Sequence, residues 1–119
     1  MTEEKLTIYH NPGCSKSRET LNILKQHGKS PEIIEYLKNP PGTHELKRIV
    51  DLLDLSPREI LRTGEPAYQE AKLGDNTISD EDVLAAIYKY PSLLQRPIVV
   101  MGNRAVIGRP PVRVLDLFS

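Results

Sequence analysis

Leu6-Thr7-Ile8-Tyr9-His10-Asn11-Pro12-Gly13-Cys14-Ser15-Lys16-Ser17-Arg18 changes character twice in a short space. Leu6 to His10 alternates and is rich in strand-forming side chains, so it predicts a first strand. Asn11-Pro12-Gly13 is turn chemistry. From Ser15 to His27 the spacing predicts a helix that buries Thr20, Leu21 and Leu24, and Gly28 is placed to end it. Cys14 therefore falls where a strand has just finished and a helix is about to start.

Working outward, Glu32 to Leu37 predicts a second strand, and a helix crossing between the two makes them parallel. The middle of the chain reads as helical. Thr43 is placed to cap a helix carrying Leu46, Ile49, Val50 and Leu53. Ser56-Pro57-Arg58-Glu59 is a capping box with proline at the first helical position. Further helices are predicted from Pro66 to Leu73 and from a Ser79 cap through Ile87, with Pro91 beyond. Ile98 to Met101 reads as a buried strand, Gly102-Asn103 as a tight turn, and Arg104 to Ile107 as its hairpin partner. A last helix is expected from Pro110 or Pro111 to near Phe118. The order is an α/β arrangement: a thioredoxin-like fold with a helical insertion between its β-α-β and β-β-α halves. With no repeat, low-complexity segment or linker, residues 1–119 are expected to form a single domain.

Composition narrows the function. Lys plus Arg and Asp plus Glu are both 16, giving a formal net charge of zero. No global field recruits nucleic acid or an acidic membrane, so neither is an expected partner and any anion site must be local. Met1-Thr2-Glu3-Glu4-Lys5 lacks the apolar stretch of a signal peptide, and the Ile98–Met101 run is too short to span a bilayer. A cytoplasmic location is the expectation. One cysteine forms no internal disulfide. With His10, His27 and His44 scattered, it makes no zinc site. No metal and no bound cofactor are expected.

Cys14 could be a small buried filler. Its polar setting argues for chemistry instead. A helix N-terminus offers unpaired N–H groups and partial positive charge, and both favour a thiolate. At a thiol pKa of about 8.5, roughly 3% is ionised at pH 7, and at about 6 roughly 90% is. The Ser17 hydroxyl is expected to hydrogen-bond the sulfur, Lys16 and Arg18 to add charge, and His10 to assist if protonated or close by. A Cys-x5-Arg phosphatase loop is absent, since Thr20 stands where the arginine would be. Walker and dinucleotide-binding glycine patterns are also missing. Cys14-Ser15-Lys16-Ser17 occupies the place of a Cys-x-x-Cys redox motif, with serine for the second thiol. Once Cys14 is modified, the resolving thiol must therefore come from another molecule.

Three arginines stand at element boundaries beside glycine or proline: Arg62, Arg96 and Arg109. Their planar forks suit a tetrahedral oxyanion better than lysine does, although each taken singly also fits an ordinary exposed charge. Pro97 is a candidate cis-proline, because thioredoxin-like folds place one opposite the active cysteine.

Tyr9-His10-Asn11-Pro12-Gly13-Cys14-Ser15-Lys16-Ser17-Arg18 resembles the active-site segment of the glutaredoxin-linked arsenate reductases, the ArsC family. So do Tyr36-Leu37-Lys38-Asn39-Pro40-Pro41, Leu61-Arg62, Arg96-Pro97-Ile98-Val99-Val100 and Gly108-Arg109-Pro110, in order over nearly the whole chain. The resemblance implies a thioredoxin-like fold with a helical insertion. It implies Cys14 as nucleophile, His10 and Ser17 in its activation, and Arg62, Arg96 and Arg109 as anion ligands. It also implies arsenate as substrate, glutathione as external reductant and glutaredoxin as protein partner. Ser15-Lys16 departs from the smaller pair of other members, and the close after Phe118 suggests the short branch of the family.

Two other readings use the same residues. A glutathione-dependent thiol oxidoreductase of another substrate needs Cys14 without three converging arginines. A non-catalytic regulator resembling Spx would bind RNA polymerase, but such regulators commonly sense redox through the Cys-x-x-Cys that this chain lacks.

Overall fold

The computed structural model describes residues 5–118. Residues 5–39 with 96–118 form one compact unit, and residues 40–95 form a second.

The first unit is built on a four-stranded sheet of β1 (Leu6–His10), β2 (Glu32–Glu35), β3 (Ile98–Met101) and β4 (Arg104–Ile107), in the order β2-β1-β3-β4. β1 runs parallel to β2, pairing Ile8 with Ile33 and His10 with Glu35, and antiparallel to β3, pairing Ile8 with Val99. β3 and β4 form the expected hairpin, and Gly102 supplies its positive φ of 58°. β1 is thus an inner strand, and Thr7 through His10 are all buried. β2 is shorter than the sequence predicts because the Glu35 carbonyl accepts the N–H groups of both Lys38 and Asn39. That turn pulls the chain off the sheet before Leu37, which is left exposed while Tyr36 is buried.

Helix α1 (Ser15–Gln26) follows β1 and carries Ser17, Thr20 and Leu24 on its buried face. These positions are three and four apart, one stripe of an α-helix. Leu21, expected inside, is only partly covered, and Ser17 takes the inner position one turn earlier. Gly28, at φ 74°, closes the helix as expected: Lys29 N–H reaches the Leu24 carbonyl and Gly28 N–H that of Lys25, both at 3.0 Å. The last segment, Pro111–Phe118, keeps its expected bounds but is wound as a 3-10 helix. It packs on α1 and β4, and the Arg104 side chain donates to the carbonyls of Asp116 at 2.8 Å and Leu117 at 2.9 Å. Ile8, Leu24, Val99, Val114 and Leu117, each almost wholly enclosed, form the core. Burying one such side chain contributes roughly 1.5–3 kcal/mol.

The second unit is helical: α2 (Thr43–Leu53), α3 (Pro66–Glu70) and α4 (Asp80–Lys89), with 3-10 turns at Pro57–Ile60 and Pro91–Leu93. Gly42, rather than the expected Thr43, occupies the cap of α2. Leu46, Ile49 and Val50 of α2 are buried as patterned while Leu53 is only partly covered, and α4 buries Val83, Leu84 and Ile87. The expected capping box forms, with Glu59 Oε2 accepting Ser56 N–H at 2.6 Å and the Ser56 side chain facing the Glu59 backbone N–H. Ser79 Oγ accepts Asp82 N–H at 3.1 Å. The helix expected to run to Leu73 stops at Glu70, after which the chain turns through Lys72 at φ 56°. Arg58 secures that turn by donating to the carbonyls of Leu73, Asp75 and Ile78. The thioredoxin-like architecture is the expected one, with this helical unit inserted in the chain between its two halves.

Candidate active site

Cys14 holds the N-cap of α1, with extended backbone angles (φ −104°, ψ 124°). The preceding loop is fixed locally. Cys14 N–H donates to the Asn11 carbonyl at 3.0 Å, the Asn11 side chain accepts Gly13 N–H at 2.9 Å, and Arg18 Nη1 grips the Pro12 carbonyl at 2.8 Å. The thiol is free and half-buried. Burial pushes its pKa up, but hydrogen bonding from the Ser17 backbone N–H, the hydrogen bond and charge of the Arg96 guanidinium, and the Lys16 backbone N–H outweigh that effect. The thiol is left below its ordinary value.

The other expected residues divide by how they act. Ser17 works on the sulfur through its backbone, not through its hydroxyl as the sequence suggests. Its Oγ is buried, accepts Asn11 N–H at 3.0 Å and lies 2.6 Å from His10 Nδ1. Both contacts turn the hydroxyl toward the strand and its loop. Of the two ways His10 is expected to assist, closeness is met, by its contact with Ser17, and charge is disfavoured. Burial pushes its pKa down, Glu35 opposes the fall, and Arg18 and Lys25 add to it. The 2.6 Å hydrogen bond joins the ring to Ser17 Oγ, in the direction that the ring's tautomer sets. His10, at the end of the inner strand, thereby fixes the first turn of α1. Lys16 and Arg18 likewise act through backbone and loop contacts rather than as charges on the sulfur.

Arg96 precedes Pro97, and their peptide bond is cis. Its Nε is buried with no hydrogen-bond partner among the described residues. An unpaired buried donor beside a nucleophile is a place where an oxyanion oxygen would be held. Arg109 is exposed, and its Nη1 points at the Arg96 carbonyl at 3.5 Å. The first unit thus brings together Cys14, His10, Ser17, Arg96 and Arg109. Arg62 belongs to the second unit, where its guanidinium lies 3.3 Å from the Ser92 carbonyl and 3.3 Å from Glu65 Oε2. Sequence reasoning missed Gly108 and Thr20, which brace the first unit's arginine loop. It read Gly108 only as a neighbour of Arg109, and Thr20 only as core.

Comparison with known proteins supplies the family. The ArsC family model matches residues 9–117. The chain is 44% identical over 115 residues to the uncharacterized protein YfgD of Escherichia coli strain K12, covering 96% of this chain and 97% of that one. It is 40% identical over 112 residues to an arsenate reductase of Rhizobium meliloti strain 1021, covering 94% and 80%. Among solved structures, an arsenate reductase from Vibrio cholerae superposes with a TM-score of 0.92 at 45% identity, over 97% of this chain and 98% of that one. A candidate nucleophile in the expected loop, the expected fold and full-length similarity coincide: the chain belongs to the ArsC family.

Proposed function

We propose that this protein reduces arsenate to arsenite, with Cys14 as nucleophile and Arg96 and Arg109 as oxyanion ligands. The observation that carries the reading is the Cys14 thiol, lowered in pKa beside an Arg96 Nε that is buried and unpaired. The arsenate reductases among its relatives support arsenate as the anion. The Cys14 thiolate attacks arsenic, a sulfur–arsenic bond forms, and one arsenate oxygen leaves as water after gaining protons. Arsenic is still pentavalent at that point. A second thiolate then attacks the Cys14 sulfur. The sulfur–arsenic bond breaks, its electron pair leaves with arsenic as arsenite, and the two sulfurs become a disulfide. The chain has one cysteine, so the second thiol is external. Glutathione is the proposed donor, and glutaredoxin the protein that reduces the resulting mixed disulfide. Guanidinium groups in a sheltered site offset the negative charge that would otherwise repel the thiolate.

The test is arsenite production by the purified protein with glutathione and glutaredoxin. Wild type should turn over and Cys14→Ser should not. An inactive wild type, or a Cys14→Ser variant that still makes arsenite, would end the proposal.

A further inference from the structure

We propose that Gly108 is a positioning residue for oxyanion capture, chosen for lack of bulk, and that Thr20 and Pro97 are the walls that demand it. The proposal rests on the reading of Arg109 as an oxyanion ligand. Gly108 is buried between Ile107, the end of β4, and Arg109. Its φ lies outside the left-handed region, so torsion does not require glycine there. Space does. A Cβ at this position would lie 2.6 Å from Thr20 Oγ1, 2.9 Å from Pro97 Cγ and 3.2 Å from Thr20 Cγ2. Neither wall gives easily. Thr20 is wholly buried, and its hydroxyl is tied to the Lys16 carbonyl at 2.8 Å. Pro97 is a buried ring whose carbonyl already accepts Gly108 N–H at 2.9 Å.

The contact joins three elements of one unit. Thr20 is on α1, the helix that Cys14 caps; Pro97 follows Arg96; Gly108 precedes Arg109. Close approach at this point sets how near the Arg109 loop comes to the thiol-bearing helix. Of the three, the Arg109 loop is the part free to yield, because Arg109 and Pro110 are exposed whereas Thr20 and Pro97 are not. Added bulk therefore displaces Arg109 and leaves the groups that activate Cys14 in place.

The experiment is alkylation of Cys14 by iodoacetamide, a neutral reagent, with arsenate as protecting ligand. It reads anion capture without any reductant. Gly108→Ala should raise the half-protecting arsenate concentration about tenfold or more, since a misplacement near 1 Å can cost about a hundredfold. The alkylation rate without arsenate should stay within about twofold, a split that general loosening would not produce. Thr20→Ala/Gly108→Ala should regain part of the protection. Should Gly108→Ala fail to fold by circular dichroism, the double variant compared with Thr20→Ala makes the same test. Weaker protection in the double variant supports the proposal, and equal protection overturns it. Unchanged protection in folded Gly108→Ala overturns it, as does a free-enzyme alkylation rate that falls in step with protection. Arg109→Ala identifies which claim failed: if it leaves protection intact, the reading of Arg109 falls and takes this inference with it.

Discussion

Replacing Ser17 with alanine separates the two jobs this residue does. The substitution removes a hydroxyl that lies 2.6 Å from His10 Nδ1 and accepts Asn11 N–H at 3.0 Å, both at a wholly buried side chain. It leaves the Ser17 backbone N–H, the group that lowers the Cys14 thiol, where it was. A buried polar group stripped of its partner costs about 1–3 kcal/mol. His10 is enclosed and bears such a cost, whereas the half-buried Asn11 N–H recovers part of its loss from water. The expected destabilisation is about 2–3 kcal/mol. With a urea slope of about 1–3 kcal/mol per molar, the midpoint should fall by about 0.7–3 M. The thiol pKa, read from the pH dependence of iodoacetamide alkylation, should move by less than about 0.3 unit, well under the 1.36 kcal/mol that a full unit represents. A folded Ser17→Ala protein whose thiol pKa rises by about one unit would show that the hydroxyl serves the sulfur after all, and the division of labour would be wrong.

The other predictions use the same two measurements. Arg96→Ala removes a hydrogen bond and a charge that favour the thiolate, so the alkylation midpoint should shift to higher pH; an unmoved midpoint would remove Arg96 from the activation of Cys14. His10 has a folded pKa below its ordinary value of about 6.5. Between those two values the unfolded chain binds more protons, so stability rises with pH across that window. Its contribution is full above pH about 6.5 and is lost as the pH falls from there through the lowered folded value. Urea midpoints should drop between pH 7.5 and pH 5 (roughly spanning that window), and less so in His10→Gln; equal slopes in the two proteins would contradict the assignment. Arg58→Met strands the carbonyls of Leu73, Asp75 and Ile78. It should cost about 1–3 kcal/mol of stability while leaving Cys14 alkylation in the folded protein unchanged.

The strand–turn–helix around Cys14 was legible because every local signal agrees there: alternation, then Asn-Pro-Gly, then an apolar stripe ended by glycine. The same agreement made β3, the Gly102-Asn103 turn and β4 readable to the residue. Elements whose ends depend on contacts elsewhere were less so. The carbonyl turn after Glu35 shortened β2, and the Arg58 clamp goes with a turn that ends α3 early. In the site, the residue types were readable but their directions were not. Nothing in the spacing of His10 and Ser17 says that the serine hydroxyl faces the ring rather than the sulfur, because a rotamer decides it. Gly108 carried even less signal. Its need for glycine comes from Thr20 and Pro97, which are distant in sequence, and its own backbone angle is unremarkable.

The two halves of the proposed chemistry are rooted at unequal depth. The nucleophile's loop leaves the sheet from β1, which has a hydrogen-bonded neighbour on either side, whereas Arg109 follows β4, which has one. Peripheral strands are the first to fray, and inner ones open only with the whole fold. On gentle warming, then, arsenate protection of Cys14 should fade before the thiol itself loses its heightened reactivity toward iodoacetamide. Such a protein would fail by forgetting its substrate while still able to attack, a state in which any small electrophile could consume it.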